Sequence, residues 1–358
     1  MARQWVLNSQ KGFEVSLEYQ ENVKVLSASE LEPDEVLVEI HAASLNYRDI
    51  VIASPNGVNG PIQAPIVPGC DGAGIVKAVG PSVQEFHPGD QVLTYFAPEL
   101  VKSSGNDAQA SLSDVPFMLG QGNDGTLRSE GVFSETALVH APKSLGWLTA
   151  ATLTCTWTTA WNILFGLKGR EARSGTWVLV QGTGGVSVAT LQLATAAGAT
   201  VVATTSTEDK ATRLRSLGAM RTVNYRVNPG GWGREARNLT PDGRGFDFVV
   251  DIGGNETLPQ SLTAVRVDGI VSAVGQVGDE SEPVPLSAAL LHTCIVRGLF
   301  AGSRSQFQEI VRYIDEKGIV PAVDDVVFEL GEIKGAYRRL KEKKHFSKVV
   351  IRVAQPEA

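Results

Sequence analysis

The chain has 358 residues, of which 43% are hydrophobic and 20% charged, and its 32 basic and 39 acidic residues give a net charge of −7. This composition is typical of a globular protein with a sizeable core and excludes disordered, collagen-like and coiled-coil chains. The acidic balance disfavours nucleic acid and anionic membranes as partners, and no run approaches the roughly 18 apolar residues of a membrane span. Three cysteines are too few for a disulfide framework, and the start of the chain has no apolar signal core, which together indicate a reduced, cytoplasmic protein. We expect it to bind neither nucleic acid nor a membrane.

The first part of the chain has the pattern of an irregular β-barrel. Apolar runs at 35–40, 74–79 and 90–95 predict strands, and Gly and Pro residues separate them. Residues 98–131 form a polar stretch that is long for a plain loop, so we expect it to be either functional or mobile.

From Gly175 onward the pattern changes to short β-branched strands that alternate with helices, which predicts a doubly wound, parallel, six-stranded sheet. The predicted strands are 176–181, 200–204, 221–224, 246–251, 270–274 and 294–299, with helices at 186–197, 208–217, around Arg234 and at 258–267. After a helix at 306–317, the pattern predicts a strand at 326–329, a helix at 333–341 and a strand at 348–353 that return to the first domain. We therefore expect one domain of residues 1–149 completed by 304–358, and a second of residues 150–303.

A glycine-rich turn follows the first strand of this sheet and precedes its first helix, which is the context that a dinucleotide fingerprint requires. Gly182 allows the tight turn, and Gly184 lets backbone N–H groups approach a pyrophosphate at the positive helix end. Ser187 stands at the third glycine position, a departure that is still small enough for close packing. The sequence thus predicts that the cofactor contacts Gly182, Thr183, Gly184, Gly185 and Val186.

The end of the second strand indicates which cofactor binds. Ala203-Thr-Thr-Ser-Thr207 lacks the Asp or Glu that would bind a free ribose 2′-hydroxyl. Hydroxyls of Thr205 and Ser206, with Lys210 as counter-charge, would suit a 2′-phosphate, which favours NADP(H) over NAD(H). Tyr225 and Arg226 would flank the same adenosine, with solvated surface charges at Lys210 and Arg226 as the alternative. Gly275, after the fifth strand, completes the predicted cofactor set.

Several further motifs carry a resemblance to a known family. They are Ser44-Leu-Asn-Tyr-Arg-Asp49, Pro68-Gly-Cys-Asp-Gly-Ala-Gly74, Pro88-Gly-Asp-Gln-Val92, Cys155-Thr-Trp-Thr-Thr-Ala-Trp161 and His345-Phe-Ser-Lys-Val-Val350. With the glycine turn, they resemble the medium-chain dehydrogenase/reductase superfamily over essentially the whole chain. The branch is the zinc-free one whose members are called zinc-type alcohol dehydrogenase-like or quinone oxidoreductase-like. The resemblance implies a GroES-like β-barrel catalytic domain, a Rossmann NADP(H)-binding domain, and a homodimer that pairs the last Rossmann strand.

The resemblance also allows the metal to be judged from residues. Zinc-dependent members use Cys, His and Cys as catalytic ligands, and the corresponding positions here are Asn46, Cys70 and Cys155. An amide is a poor zinc ligand and two thiolates do not close a catalytic site, so we expect no zinc. A site built from Cys70, Asp71 and Cys155 is the alternative. The segment 98–131, where members with a structural zinc carry four cysteines, has none.

Without a Lewis acid, negative charge that develops on the substrate needs hydrogen-bond donors, and reduction of an activated C=C bond suits such a site. The resemblance implies that Asn46 contacts the nicotinamide ribose or the substrate, and that Tyr47 donates a proton or a hydrogen bond. It also implies that Thr159 contacts the carboxamide and that Lys348 contacts the cofactor. The alternatives are a packing role for Tyr47 and a buried helix position for Thr159.

The substrate pocket is less readable. Arg48 stands where zinc-dependent members carry a proton-relaying hydroxyl, and it would either steer a carboxylate or pair with an acid. Trp157 and Phe300 are candidate pocket walls, although aromatic residues at such places also serve as core. We predict a metal-independent, NADPH-dependent oxidoreductase that reduces α,β-unsaturated carbonyl compounds or quinones. The alternatives are an NADP-dependent alcohol dehydrogenase or carbonyl reductase, and an NADPH-binding protein without turnover.

Overall fold

A computed structural model describes residues 1–55, 60–278 and 281–354 of the chain. The chain divides into two compact units, Met1–Thr158 together with Ala301–Ala358, and Thr159–Phe300. Within the described ranges, no helix is both long and apolar enough to cross a membrane.

The strands in chain order are β1 (Ala2–Leu7), β2 (Leu17–Val23), β3 (Glu35–Leu45), β4 (Asp71–Val79), β5 (Gln91–Thr94), β6 (Glu130–Ser134), β7 (Leu138–His140), β8 (Trp177–Val180), β9 (Thr200–Thr205), β10 (Ala219–Asn224), β11 (Phe246–Asp251), β12 (Val265–Ala273), β13 (Ile295–Gly298), β14 (Val323–Glu329) and β15 (Lys348–Arg352).

The α-helices are α1 (Phe13–Ser16), α2 (Tyr47–Ile52), α3 (Pro98–Ser104), α4 (Trp147–Ala150), α5 (Thr156–Phe165), α6 (Gly185–Ala196), α7 (Glu208–Ser216), α8 (Trp232–Asn238), α9 (Leu258–Ala264), α10 (Ser287–Leu291), α11 (Arg304–Lys317) and α12 (Ile333–Lys341). Short 3₁₀ helices cover Ala28–Glu30, Leu112–Phe117, Glu135–Ala137, Pro241–Gly243, Gly254–Glu256 and Leu330–Glu332.

The first unit is built around β3, whose 11 residues allow it to pair with three other strands. The sheet order is β14-β15-β3-β4-β5-β7, with β6 also paired to β3, and β1 and β2 form a separate hairpin. The C-terminal strand β15 runs antiparallel to β3, with Val350 opposite Ser44. This pairing brings residues more than 300 positions apart in the chain onto neighbouring strands of one sheet.

The polar stretch 98–131, expected to be functional or mobile, is a packed segment of this unit. It holds α3 and a 3₁₀ helix, and Met118 and Leu127 are fully buried, whereas Leu112 and Phe117 are exposed. The packing is close, since a Cβ added at Gly125 would lie 1.9 Å from the carbonyl oxygen of Gly69. Glycine allows these two backbones to touch, which explains how a polar sequence packs so tightly.

The second unit confirms the predicted doubly wound sheet. Its six strands lie in the order β10-β9-β8-β11-β12-β13, and all pairs are parallel. Counted from β8, this is the 3-2-1-4-5-6 order of a dinucleotide-binding fold. The largest difference from the predicted bounds is that α9 ends at Ala264 and β12 begins at Val265, which pairs with Phe246. Val265 and Val267 are β-branched and fit a strand better than the predicted helix to residue 267.

Candidate active site

The glycine turn connects β8 to α6 and leaves the start of that helix open. Gly184 caps the helix without a side-chain hydrogen bond, and Gly182 has a φ of +72°, which favours glycine. A Cβ added at Gly184 would meet no protein atom within 4 Å. The first N–H groups of α6 therefore face open space at the positive helix end, an arrangement that fits a dinucleotide pyrophosphate.

Hydrogen bonds of Ser187 and of three residues that the sequence analysis did not name, Gln181, Asp251 and Ser261, stabilise the turn. The Ser187 hydroxyl donates to the carbonyl of Gln181 at 2.5 Å, which gives the departure from glycine a structural role. The Gln181 amide donates to Ser261 Oγ at 2.6 Å and to Asp251 Oδ2 at 3.2 Å, and it accepts from the N–H of Ile252 at 3.2 Å. Burial raises the pKa of Asp251, although hydrogen bonds from Ser261 and others oppose the shift.

The end of β9 presents hydroxyls where an acid would bind a free ribose. The Thr205 hydroxyl is buried and has no hydrogen-bond partner among the described residues. Ser206 follows it, half-buried, and Lys210 lies in the first turn of α7. Tyr225 packs against the core of the second unit. Gly275 follows β12 and lies close to the end of β11, since a Cβ at Gly275 would lie 3.0 Å from the carbonyl oxygen of Ile252.

A buried polar cluster occupies the first unit where β3, β4 and β15 meet. The Lys348 ammonium donates to the Leu45 carbonyl at 2.7 Å, to Asn46 Oδ1 at 2.5 Å and to Asp71 Oδ2 at 2.9 Å. The side chains of Lys348 and Asp71 are only 3% and 0% exposed. All three N–H groups of the Lys348 ammonium donate inside the cluster. In this arrangement the ammonium has no further N–H group to donate to the cofactor, the contact that was predicted for it.

Asn46 lies between this ammonium and the start of α2. Its Nδ2 group is 3.6 Å from Cys70 Sγ, and its backbone N–H donates to Asp49 Oδ2 at 2.7 Å. Burial raises the pKa of Asp49 to about 6, because the carboxylate loses its hydration there. The Asn46 side chain is thus held on both sides by groups from other elements.

The donor set around Asn46 does not fit a catalytic zinc. Asp71 Oδ1 accepts from the Cys70 thiol at 3.3 Å and from the Cys155 N–H at 3.2 Å, while Oδ2 accepts from Ser44 and Lys348. A hydrogen bond with Cys155, burial and the Asp71 charge raise the pKa of the Cys70 thiol well above its usual value, which keeps it protonated. In the described parts of the chain, no group of three or more His, Cys, Asp or Glu is arranged for a metal.

The other predicted site residues lie on several different elements. Tyr47 begins α2 and is 42% exposed. Arg48 donates from Nη1 to the Leu119 carbonyl at 3.0 Å, and its buried Nε and Nη2 have no partner within the described ranges. Trp157 is buried on α5, Thr159 is buried at the start of the second unit, and Phe300 is half-buried at its end.

Two family models match the chain. A zinc-binding dehydrogenase model matches residues 185–316, and an alcohol dehydrogenase GroES-like domain model matches residues 32–146. A zinc-type alcohol dehydrogenase-like protein of Schizosaccharomyces pombe is 40% identical, over 90% of this chain and 92% of the relative.

Two further relatives differ in the reaction that they are named for. A crotonyl-CoA carboxylase/reductase of Cereibacter sphaeroides is 28% identical, over 90% of this chain and 81% of the relative. A solved structure of an NAD-dependent alcohol dehydrogenase is 33% identical with a TM-score of 0.85, covering 98% of this chain and 100% of that one.

Proposed function

Because the chain belongs to the medium-chain dehydrogenase/reductase superfamily and is an NAD(P)-dependent oxidoreductase, we propose that it uses NADPH, without a metal, to reduce activated C=C bonds. The substrates are α,β-unsaturated carbonyl compounds or quinones. The observation that carries this proposal is the cluster at the zinc-ligand positions. They hold the Asn46 amide, the protonated Cys70 thiol and Cys155, and the neighbouring Asp71 carboxylate already accepts from Lys348. Such a set leaves hydrogen-bond donors, and no Lewis acid, to stabilise negative charge there.

The residues of the chain take the following roles. When bound, the nicotinamide would supply the hydride for the β-carbon of the substrate. The Asn46 amide donates a hydrogen bond to the carbonyl oxygen on which negative charge develops. The Tyr47 hydroxyl, on an exposed side chain at the start of α2, donates the proton that the α-carbon takes up. Thr159 holds the carboxamide, and the open start of α6 holds the pyrophosphate.

The preference for NADP(H) rests on the end of β9. A buried Thr205 hydroxyl without a partner among the described residues is suited to donate to a 2′-phosphate, and Lys210 adds positive charge in the first turn of α7. The relative named as NAD-dependent makes the opposite preference the competing hypothesis. Titration of the protein with NADPH and with NADH by cofactor fluorescence separates the two.

The relatives support two reaction types, because one is named for a reductase acting on an unsaturated thioester and another as an alcohol dehydrogenase. The test is to give the chelator-treated protein NADPH and an α,β-unsaturated aldehyde, and to identify the product by mass and retention. We expect the saturated aldehyde, formed more slowly by Tyr47→Phe, with Tyr19→Phe on β2 as the matched control. The allylic alcohol as product would contradict the proposal and favour carbonyl reduction.

We also propose that two copies pair through β13. Among the described residues, this strand has a neighbour on one side only, so the other side of its backbone is left for another strand. Next to it, α10 exposes Leu290 and Leu291 to 78% and 81%, and Leu286 precedes them at 86%. An unpaired edge beside exposed leucines supports an interface with a second copy of the chain.

A further inference from the structure

The cluster settles which way the Asn46 amide points. An ammonium has three donors and no acceptor, so the atom that faces Lys348 Nζ at 2.5 Å must be the amide oxygen. The NH₂ group therefore faces the other way. One of its protons is directed toward Cys70 Sγ at 3.6 Å, and the described residues offer the second proton no acceptor.

We propose that Lys348 is a positioning residue that makes Asn46 a hydrogen-bond donor to the substrate oxygen. This inference rests on the proposed function and deepens it. A cation on the amide oxygen draws electron density from the nitrogen, so that the N–H groups become stronger donors. The built-in ammonium thus acts through Asn46, without itself touching the substrate, and takes over part of the polarising role that a metal has in zinc-dependent enzymes.

The amide has little freedom to turn over. Lys348 is anchored by the Leu45 carbonyl and by Asp71, and Asp71 is in turn held by Ser44 Oγ at 2.9 Å and by the Cys155 N–H at 3.2 Å. These partners come from β3, β4, β15 and the segment before α5. Reversing the amide would place an NH₂ group against an ammonium with no acceptor between them, which the buried site disfavours. The donor is therefore held in place before substrate binds, which is the condition for effective stabilisation of developing charge.

The first test is Asn46→Asp, which keeps an oxygen for Lys348 and removes both N–H donors at nearly constant shape. Loss of one such donor typically lowers kcat by about 10²–10³-fold, and we expect a fall of that order in enone reduction. The Kd for NADPH should stay within about twofold, because the pyrophosphate site is untouched. A merely structural role for Asn46 would not separate kcat from cofactor binding in this way.

The second test removes the ammonium. Lys348→Met alone would leave Asp71 buried without its counter-charge, so the double variant Lys348→Met with Asp71→Asn removes both charges together. Misplacing a positioned group can cost about 10²-fold, and we expect kcat to fall roughly 10- to 100-fold. The Kd for NADPH should be unchanged. Lys344→Met, at an exposed lysine paired with Glu342, is the matched control.

The outcomes separate the two proposals. If the wild-type protein fails to reduce any enone, the proposed function is wrong. If the wild type is active and Asn46→Asp or the folded double variant keeps its kcat, the positioning role of Lys348 is wrong while the proposed function stands. A fall in kcat together with an equal loss of NADPH binding would also overturn the inference, because it would place Lys348 in cofactor binding.

Discussion

Gly184→Ala tests the cofactor turn with little effect on the fold. Gly184 has φ −77° and ψ 171°, which any residue adopts, and a Cβ there meets no protein atom within 4 Å. The methyl group would instead occupy the space in front of the first N–H groups of α6. We expect it to displace the pyrophosphate from one charge-assisted hydrogen bond, which is worth about 1.5–3 kcal/mol. The Kd for NADPH should then rise roughly 10- to 150-fold.

The chain contains a matched control for this variant. Gly146 also caps a helix, with φ −77° and ψ 164°, and a Cβ there likewise meets nothing within 4 Å. Gly146→Ala therefore makes the same local change, including the cost of about 0.5–1 kcal/mol for alanine at a helix cap, away from the turn. Fluorescence titration with NADPH should show weaker binding only for Gly184→Ala. Equal Kd values for both variants would refute the placement of the pyrophosphate at α6.

Three further predictions concern the cofactor preference, the buried acid and the edge strand. Lys210→Ala should raise the KM for NADPH at least tenfold and leave that for NADH unchanged, and an unchanged KM for NADPH would exclude Lys210 as the 2′-phosphate partner. The pKa of Asp49 is raised by burial from 3.8 to about 6, so its contribution to stability is full below about pH 4 and lost as pH rises through 6. Asp49→Asn should therefore be more stable than the wild type at pH 7 by up to about 3 kcal/mol, and the gain should vanish at pH 4 in thermal unfolding. Leu290→Glu should shift the molecular mass in solution from two chains toward one by light scattering, and an unchanged dimer would place the interface elsewhere.

Local sequence patterns were sufficient for the second unit. Runs such as Phe246–Asp251 and the helix that follows the glycine turn are determined by neighbouring residues, because strand and helix periodicities are local properties. The parallel direction of the strands follows from this alternation, since each helix returns the chain to the edge at which the previous strand began. The order has one break, because β11 pairs with β8 and not with β10. Prediction was wrong at residues 265–267, where pairing of Val265 with Phe246 outweighed the helical pattern.

The residue types at the candidate site were also readable from the sequence. Asn46, Cys70 and Cys155 stand at the metal-ligand positions of related enzymes, and their chemistry argues against zinc without any coordinates. The cofactor residues around Gly184 and Thr205 follow from the strand–turn–helix motif in the same way.

The arrangement of the buried cluster was not readable, because its members are distant in the chain. Lys348 contacts Asp71, which is 277 positions away in the chain, and Asn46, which is 302 positions away. No local sequence pattern predicts such a pairing. The resemblance assigned Lys348 only to a cofactor contact. The sequence by itself determined most strands and helices of the second unit, the glycine turn and the donor types available. Only the tertiary structure decided that β15 pairs with β3, which buries the Lys348 ammonium against Asp71 and so orients the Asn46 amide. The reason is that burial and charge pairing depend on contacts between segments that are distant in the chain.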